Sequence, residues 1–200
     1  MSLAARLREA LDLGHTRSPE LLPGDPRDPL VDEDQPVTPA AVLVPVVERP
    51  QPTVILTVRT DLMRKHAGQV AFPGGRIDPE DRDAVAAALR EAEEEIGLPR
   101  HMVEVIGTAD RYRTITGYEV TPVIGVVPPD LPLVPQLGEV AAIFEAPLDY
   151  ILDPARQAIR TVEWRGRERS YYEIEWEGRR IWGATAAMIV NLSRRLELAL

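Results

Sequence analysis

Glu91, Glu93, Glu94 and Glu95 fill four of five consecutive positions, and Arg90 stands immediately ahead of them. On a helix each residue advances about 100°, so Glu91, Glu94 and Glu95, spaced i, i+3 and i+4, become neighbours on one surface. Glu93 points elsewhere and reads as a solvated residue. Arg90 lies four residues before Glu94, yet an exposed pair of that spacing contributes only about 0.3 to 0.5 kcal/mol. One cation does not neutralise three carboxylates, and the negative end of the helix dipole aggravates the crowding. Hard divalent ions relieve it. Mg²⁺ takes oxygen ligands, is commonly held by a few carboxylates, and completes its shell with water and substrate phosphate. Taken alone, an E-x-x-E-E run is more often a solubilising helix face, so its surroundings must decide.

The segment from Asp81 to Ile96 carries the strongest helical pattern in the chain, with Val85, Leu89, Ala92 and Ile96 on one apolar stripe and Gly97 as its stop signal. A Phe72-Pro73-Gly74-Gly75 turn precedes it. Ala40 to Glu48 and Thr53 to Arg59 read as a β-hairpin, with a short strand at Gln69 to Phe72. Later strands are expected at Val103 to Asp110, Glu119 to Val127 and Glu139 to Glu145, and the stretch from Thr161 to Gly183 reads as another hairpin. Helices are expected at Leu3 to Leu13, Pro147 to Leu152 and Thr185 to Leu198. Prolines at 19, 23, 26, 29, 36 and 39 make the intervening arm a coil. The expectation is an α/β domain at residues 40–200, a mixed sheet covered by helices, preceded by an N-terminal helix and proline-rich arm at residues 1–39.

Two hundred residues with 44% hydrophobic content suffice for one real core. A net charge of −9 argues against binding to nucleic acid, whose affinity comes from basic patches. The chain has no cysteine, which excludes disulfides, thiolate metal sites and Cys nucleophiles and suits a reducing cytoplasm. No apolar run approaches the roughly 20 residues of a membrane span. The expected partner is a small molecule; a homodimer is left open.

The run Arg90-Glu91-Ala92-Glu93-Glu94-Glu95-Ile96-Gly97-Leu98 resembles the end of the Nudix box, G-x5-E-x7-R-E-U-x-E-E-x-G-U, where U is bulky and apolar. Gly75 precedes Arg90 by one residue more than the general box allows, so the first acidic position of the box falls on Asp81 or Arg82, and neither is assigned as a ligand. Upstream, Ile55-Leu56-Thr57-Val58-Arg59-Thr60, Arg64, Gly68 and Phe72-Pro73-Gly74-Gly75 keep the spacing of the motif L-L-T-x-R-[SA]-x3-R-x3-G-x3-F-P-G-G of the coenzyme A-cleaving branch. The resemblance spans roughly residues 38 to 198. It implies the Nudix α/β/α sandwich, Mg²⁺ or Mn²⁺ as cofactor, and hydrolysis of coenzyme A to 3′,5′-ADP and 4′-phosphopantetheine. The site it implies has Glu91 and Glu95 as leading metal ligands, Glu94 as ligand or base, and the Gly74 carbonyl as a further ligand. Arg90 orients the glutamates, and Glu139, with Glu145 as fallback, is the candidate base from a later loop. Arg59, Arg64, His66 and Gln69 are the candidates for binding substrate, Arg being suited to paired contacts with phosphate. ADP-ribose or dinucleoside polyphosphates as substrates, or a nucleotide-sensing module without catalysis, are the competing readings.

Overall fold

The computed structural model describes residues 1–24, 37–60, 68–164 and 167–196. Helix α1 (Leu3–His15) begins where the Ser2 hydroxyl accepts the Ala5 N–H at 3.2 Å. Its Leu3, Leu7 and Leu11 are buried, as their spacing predicts. Strands β1 (Thr38–Val47) and β2 (Thr53–Arg59) form the expected antiparallel hairpin. Strand β3 (Val70–Ala71) extends the ladder beyond β2, and β4 (Gly74–Arg76) folds back onto β1. Helix α2 (Ala84–Ile96) follows, then β5 (Glu104–Thr108), β6 (Tyr112–Arg113), β7 (Tyr118–Val127) and β8 (Val140–Pro147). Helix α3 (Leu148–Leu152) leads to β9 (Ala158–Trp164), β10 (Arg167–Trp176) and β11 (Arg179–Trp182), and α4 (Ala184–Leu196) follows them.

The main sheet runs β3-β2-β1-β7-β5, with β4 on β1, β6 on β7 and β8 on β2. It is mixed: β1 and β7 are parallel from Thr38↔Tyr118 to Val47↔Val127, and the other ladders are antiparallel. Alternation along β1 divides the core into two layers. Leu43 and Val47 join Ala87, Ala88, Ala92 and Ile96 beneath α2, whereas Val44 and Val46 join Leu7, Ile189 and Leu192 beneath α1 and α4. The architecture is therefore α/β, a mixed sheet between helices, as the sequence implied.

Three local expectations need correction. Helix α2 starts at Ala84 rather than Asp81, because the Asp83 side chain accepts the Ala86 N–H at 2.8 Å and caps it. The apolar stripe of α2 is wider than expected: Ala87 and Ala88 are fully buried beside the expected Ala92 and Ile96, while Val85 and Leu89 pack half-buried against the same core; the alanines let the helix axis approach the sheet. The stretch expected as one hairpin is a three-stranded antiparallel sheet, β11-β10-β9, because Glu177 and Gly178 both take positive φ and make a two-residue turn between β10 and β11.

Candidate active site

The turn carrying Gly74 and Gly75 and the last turns of α2 meet without an intervening side chain. A Cβ on Gly75 would sit 2.6 Å from the Glu91 carboxylate, so only glycine lets this backbone lie against that acid. At Gly74 a Cβ would lie 2.4 Å from the Ala41 carbonyl oxygen. The same residue donates its N–H to Glu95 Oε2 at 3.1 Å. The expectation for Gly74 concerned its carbonyl; the contact present in the structure is made by its N–H.

Glu95 is 5% exposed. Burial pushes its pKa up to about 7, with the charges of Glu91 and Glu139 adding to the rise, while the Gly74 N–H and the charge of Arg59 oppose it. Glu91 is also raised, first by burial and then by Glu94 and Glu139, against the pull of Arg90. Glu94 is mostly exposed and Glu93 is exposed, the latter bonded to Arg100 at 2.7 Å. The three crowded glutamates thus occupy three depths, graded from buried Glu95 to open Glu94.

Arg90 does more than pair with Glu94. Its Nη1 donates to Glu91 Oε1 and Glu94 Oε2, each at 3.0 Å, and its Nη2 donates to the Arg76 carbonyl at 3.0 Å. Asp81 takes the strongest hold, accepting Nε at 3.1 Å and Nη2 at 2.8 Å. Asp81 is accordingly held below the usual carboxylate range by Arg90, whose own pKa is raised chiefly by Asp81. Sequence reasoning missed this role: Asp81 anchors the arginine that spans the glutamates. The signal was available in the one-residue excess between Gly75 and Arg90, which leaves an acid nine residues ahead of the guanidinium.

Arg59 closes β2, its N–H donating to the Gln69 carbonyl at 2.9 Å and its carbonyl accepting the Gly68 N–H at 3.0 Å, so Arg59 and Gln69 share one corner. The adjacent Thr60 N–H reaches the Glu139 carbonyl at 2.9 Å, bringing the loop before β8 to the same end of the sheet. Glu139 is exposed, and its charge acts on both Glu91 and Glu95. Glu145, at the other end of β8, bonds instead to Thr53 and to Arg49 at 3.2 Å. Arg64 and His66 lie outside the described residues.

Among the described residues no group of three acidic or imidazole side chains is arranged to hold an ion unaided. Glu91 and Glu95 nevertheless fit a divalent cation. Both are carboxylates whose charge burial disfavours, they face one glycine turn, and Mg²⁺ is commonly held by one or two carboxylates with water and phosphate as the remaining ligands.

A family model described as the NUDIX domain matches residues 37–173. The chain is 48% identical over 157 residues to a protein named "Uncharacterized Nudix hydrolase NudL" from Escherichia coli (strain K12 / DH10B), covering 78% of this chain and 82% of that protein. The same name and the same identity and coverages apply to a relative from Shigella boydii serotype 4 (strain Sb227). A solved Nudix hydrolase from M. smegmatis, RenU, is 28% identical with a TM-score of 0.49, over 58% of this chain and 74% of that one. The matched span contains the glycine turn, α2 and the strands that position them, and with the curated relatives agreeing over most of both chains, this protein belongs to the Nudix hydrolase family.

Proposed function

We propose that the protein hydrolyses the diphosphate bond of coenzyme A or a derivative, releasing 3′,5′-ADP and 4′-phosphopantetheine or its acyl form. The observation that carries this reading is the pair Glu91 and Glu95, two carboxylates with raised pKa values set against the Gly74-Gly75 turn, with the charge of Arg59 acting on Glu95. The substrate class rests on the coenzyme A-type motif that leads into this turn, from Ile55 through Arg59, Arg64 and Gly68 to Gly75. The absence of cysteine accords with work in a reducing cytoplasm.

A bound Mg²⁺ or Mn²⁺ would neutralise diphosphate charge and lower the pKa of a water. Glu91 and Glu95 are the residues to hold it, with Glu94 beside them as ligand or base and the Gly74 carbonyl as a further donor. Arg90, fixed by Asp81, keeps the Glu91 and Glu94 carboxylates oriented. Glu139, exposed and with a charge that acts on both Glu91 and Glu95, is the candidate to accept a proton from the attacking water. Arg59, Gln69, Arg64 and His66 serve substrate binding, the two arginines through paired contacts to phosphate oxygens.

Chromatography of the products formed from coenzyme A with Mg²⁺ tests this directly. The expected result is 3′,5′-ADP in equal amount with phosphopantetheine, lost on chelation. Turnover of ADP-ribose or dinucleoside polyphosphates with coenzyme A untouched would overturn the substrate assignment and leave the site. Binding of nucleotide with no product from any diphosphate would overturn the catalytic reading itself.

A further inference from the structure

The ribbon formed by β9 and β10 extends beyond the core that supports its base. Ile174 on β10 and Ile181 on β11 are buried there, yet every residue from Ile159 to Glu163 is exposed. Ile159 is 62% and Val162 46% exposed. They lie three apart on a strand and so face opposite sides, leaving both faces of the ribbon uncovered. Among the described residues β9 pairs only with β10, so its outer edge offers unpaired N–H and C=O groups along seven residues, about 24 Å of strand. No proline interrupts that edge. A long, uninterrupted edge with apolar side chains is a template for another strand.

We propose that this edge is a homodimer interface, β9 pairing antiparallel with β9 of a second copy to make one six-stranded sheet. Charge selects the partner. The chain carries a net charge of −9, so two copies repel over most of their surfaces. The described side chains of β9, β10 and β11 carry four Arg and four Glu, a locally neutral patch where that repulsion falls away. Antiparallel self-pairing also requires a two-fold axis normal to the sheet, on which one residue faces its own copy. An axis through Thr161 or Val162 sets an uncharged residue there and directly opposes no like charges: Arg160 faces Val162 in the first case, and Thr161 faces Glu163 in the second.

Size-exclusion chromatography with light scattering, run from dilute to concentrated protein, tests the pairing. Wild type is expected to reach twice the chain mass as concentration rises. Val162→Glu and Ile159→Glu, each at an exposed position, are expected to stay at one chain mass with unchanged far-UV circular dichroism. Hydrogen exchange of wild type supplies a second readout independent of either variant: amides of residues 158–164 should become more protected on going from monomer to dimer concentrations. A wild type that stays monomeric at every concentration overturns the proposal. So does a dimer that survives both folded variants, or one that leaves β9 exchange unchanged.

Discussion

Glu95 combines near-complete burial with a hydrogen bond from the Gly74 N–H, and a charged carboxylate so placed opposes folding. Glu95→Gln therefore has two expected effects of opposite kind. In metal-free protein under alkaline conditions, where a group with pKa about 7 is ionised, the amide removes a buried charge, and thermal unfolding should move to higher temperature. In the assay with Mg²⁺ and coenzyme A, turnover should fall at least about 100-fold, the scale lost when one group that stabilises transition-state charge is removed. A variant neither more stable nor less active would separate Glu95 from the site. The clustering itself was legible in the sequence, because i, i+3, i+4 spacing needs nothing beyond helix geometry. The grading by depth was not, because it depends on Gly74 and Gly75 arriving from another part of the chain. Asp81 was hidden for a related reason: its partner Arg90 lies nearly two turns into a helix whose start the cap at Asp83, rather than the apolar period, determines.

At the level of elements, the glycine turn makes a sharper demand than its sequence suggests. Gly75→Ala puts a methyl group 2.6 Å from the Glu91 carboxylate, which must then move. The expected outcome is a loss of turnover of about 10-fold or more with the unfolding midpoint changed little, since the displaced group borders the site rather than the core. Steady-state kinetics beside thermal denaturation checks it. The β1–β2 hairpin and α2 could be read in advance because apolar periodicity runs their full length. Strands β4 and β6 could not: one is Gly-Gly-Arg and the other two residues long, and both exist only because longer strands offer them an edge. In the three-stranded sheet, Glu173 lies between Arg180 and Arg160, and bonding to Arg180 above all holds its pKa below the ordinary 4.5. Its contribution to stability is thus fully present above about pH 4.5 and is lost as pH falls through the depressed folded value. Glu173→Gln should flatten the acid limb of a stability–pH curve below 4.5 and leave the neutral plateau lower.

Across the whole molecule, the N-terminal helix belongs to the same core as α4. Leu7 is 1% exposed beneath the sheet, and Leu7→Ala should cost about 3 kcal/mol in denaturant unfolding, with kcat of the folded fraction unchanged. Arg195 of α4 completes the union, bonding Asp110 at 2.6 Å and 2.8 Å, the Gly14 carbonyl at 2.7 Å and the Arg17 carbonyl at 3.0 Å. Asn191 reinforces it by exchanging two 2.8 Å hydrogen bonds with the backbone of Leu22. A ribosome releases α1 long before α4, so Leu3, Leu7 and Leu11 leave the exit tunnel with no surface to cover them. Productive folding must wait for a stretch made about 180 residues later, separated by most of the polypeptide. During synthesis α1 therefore stays exposed to chaperones and to aggregation until α4 is made.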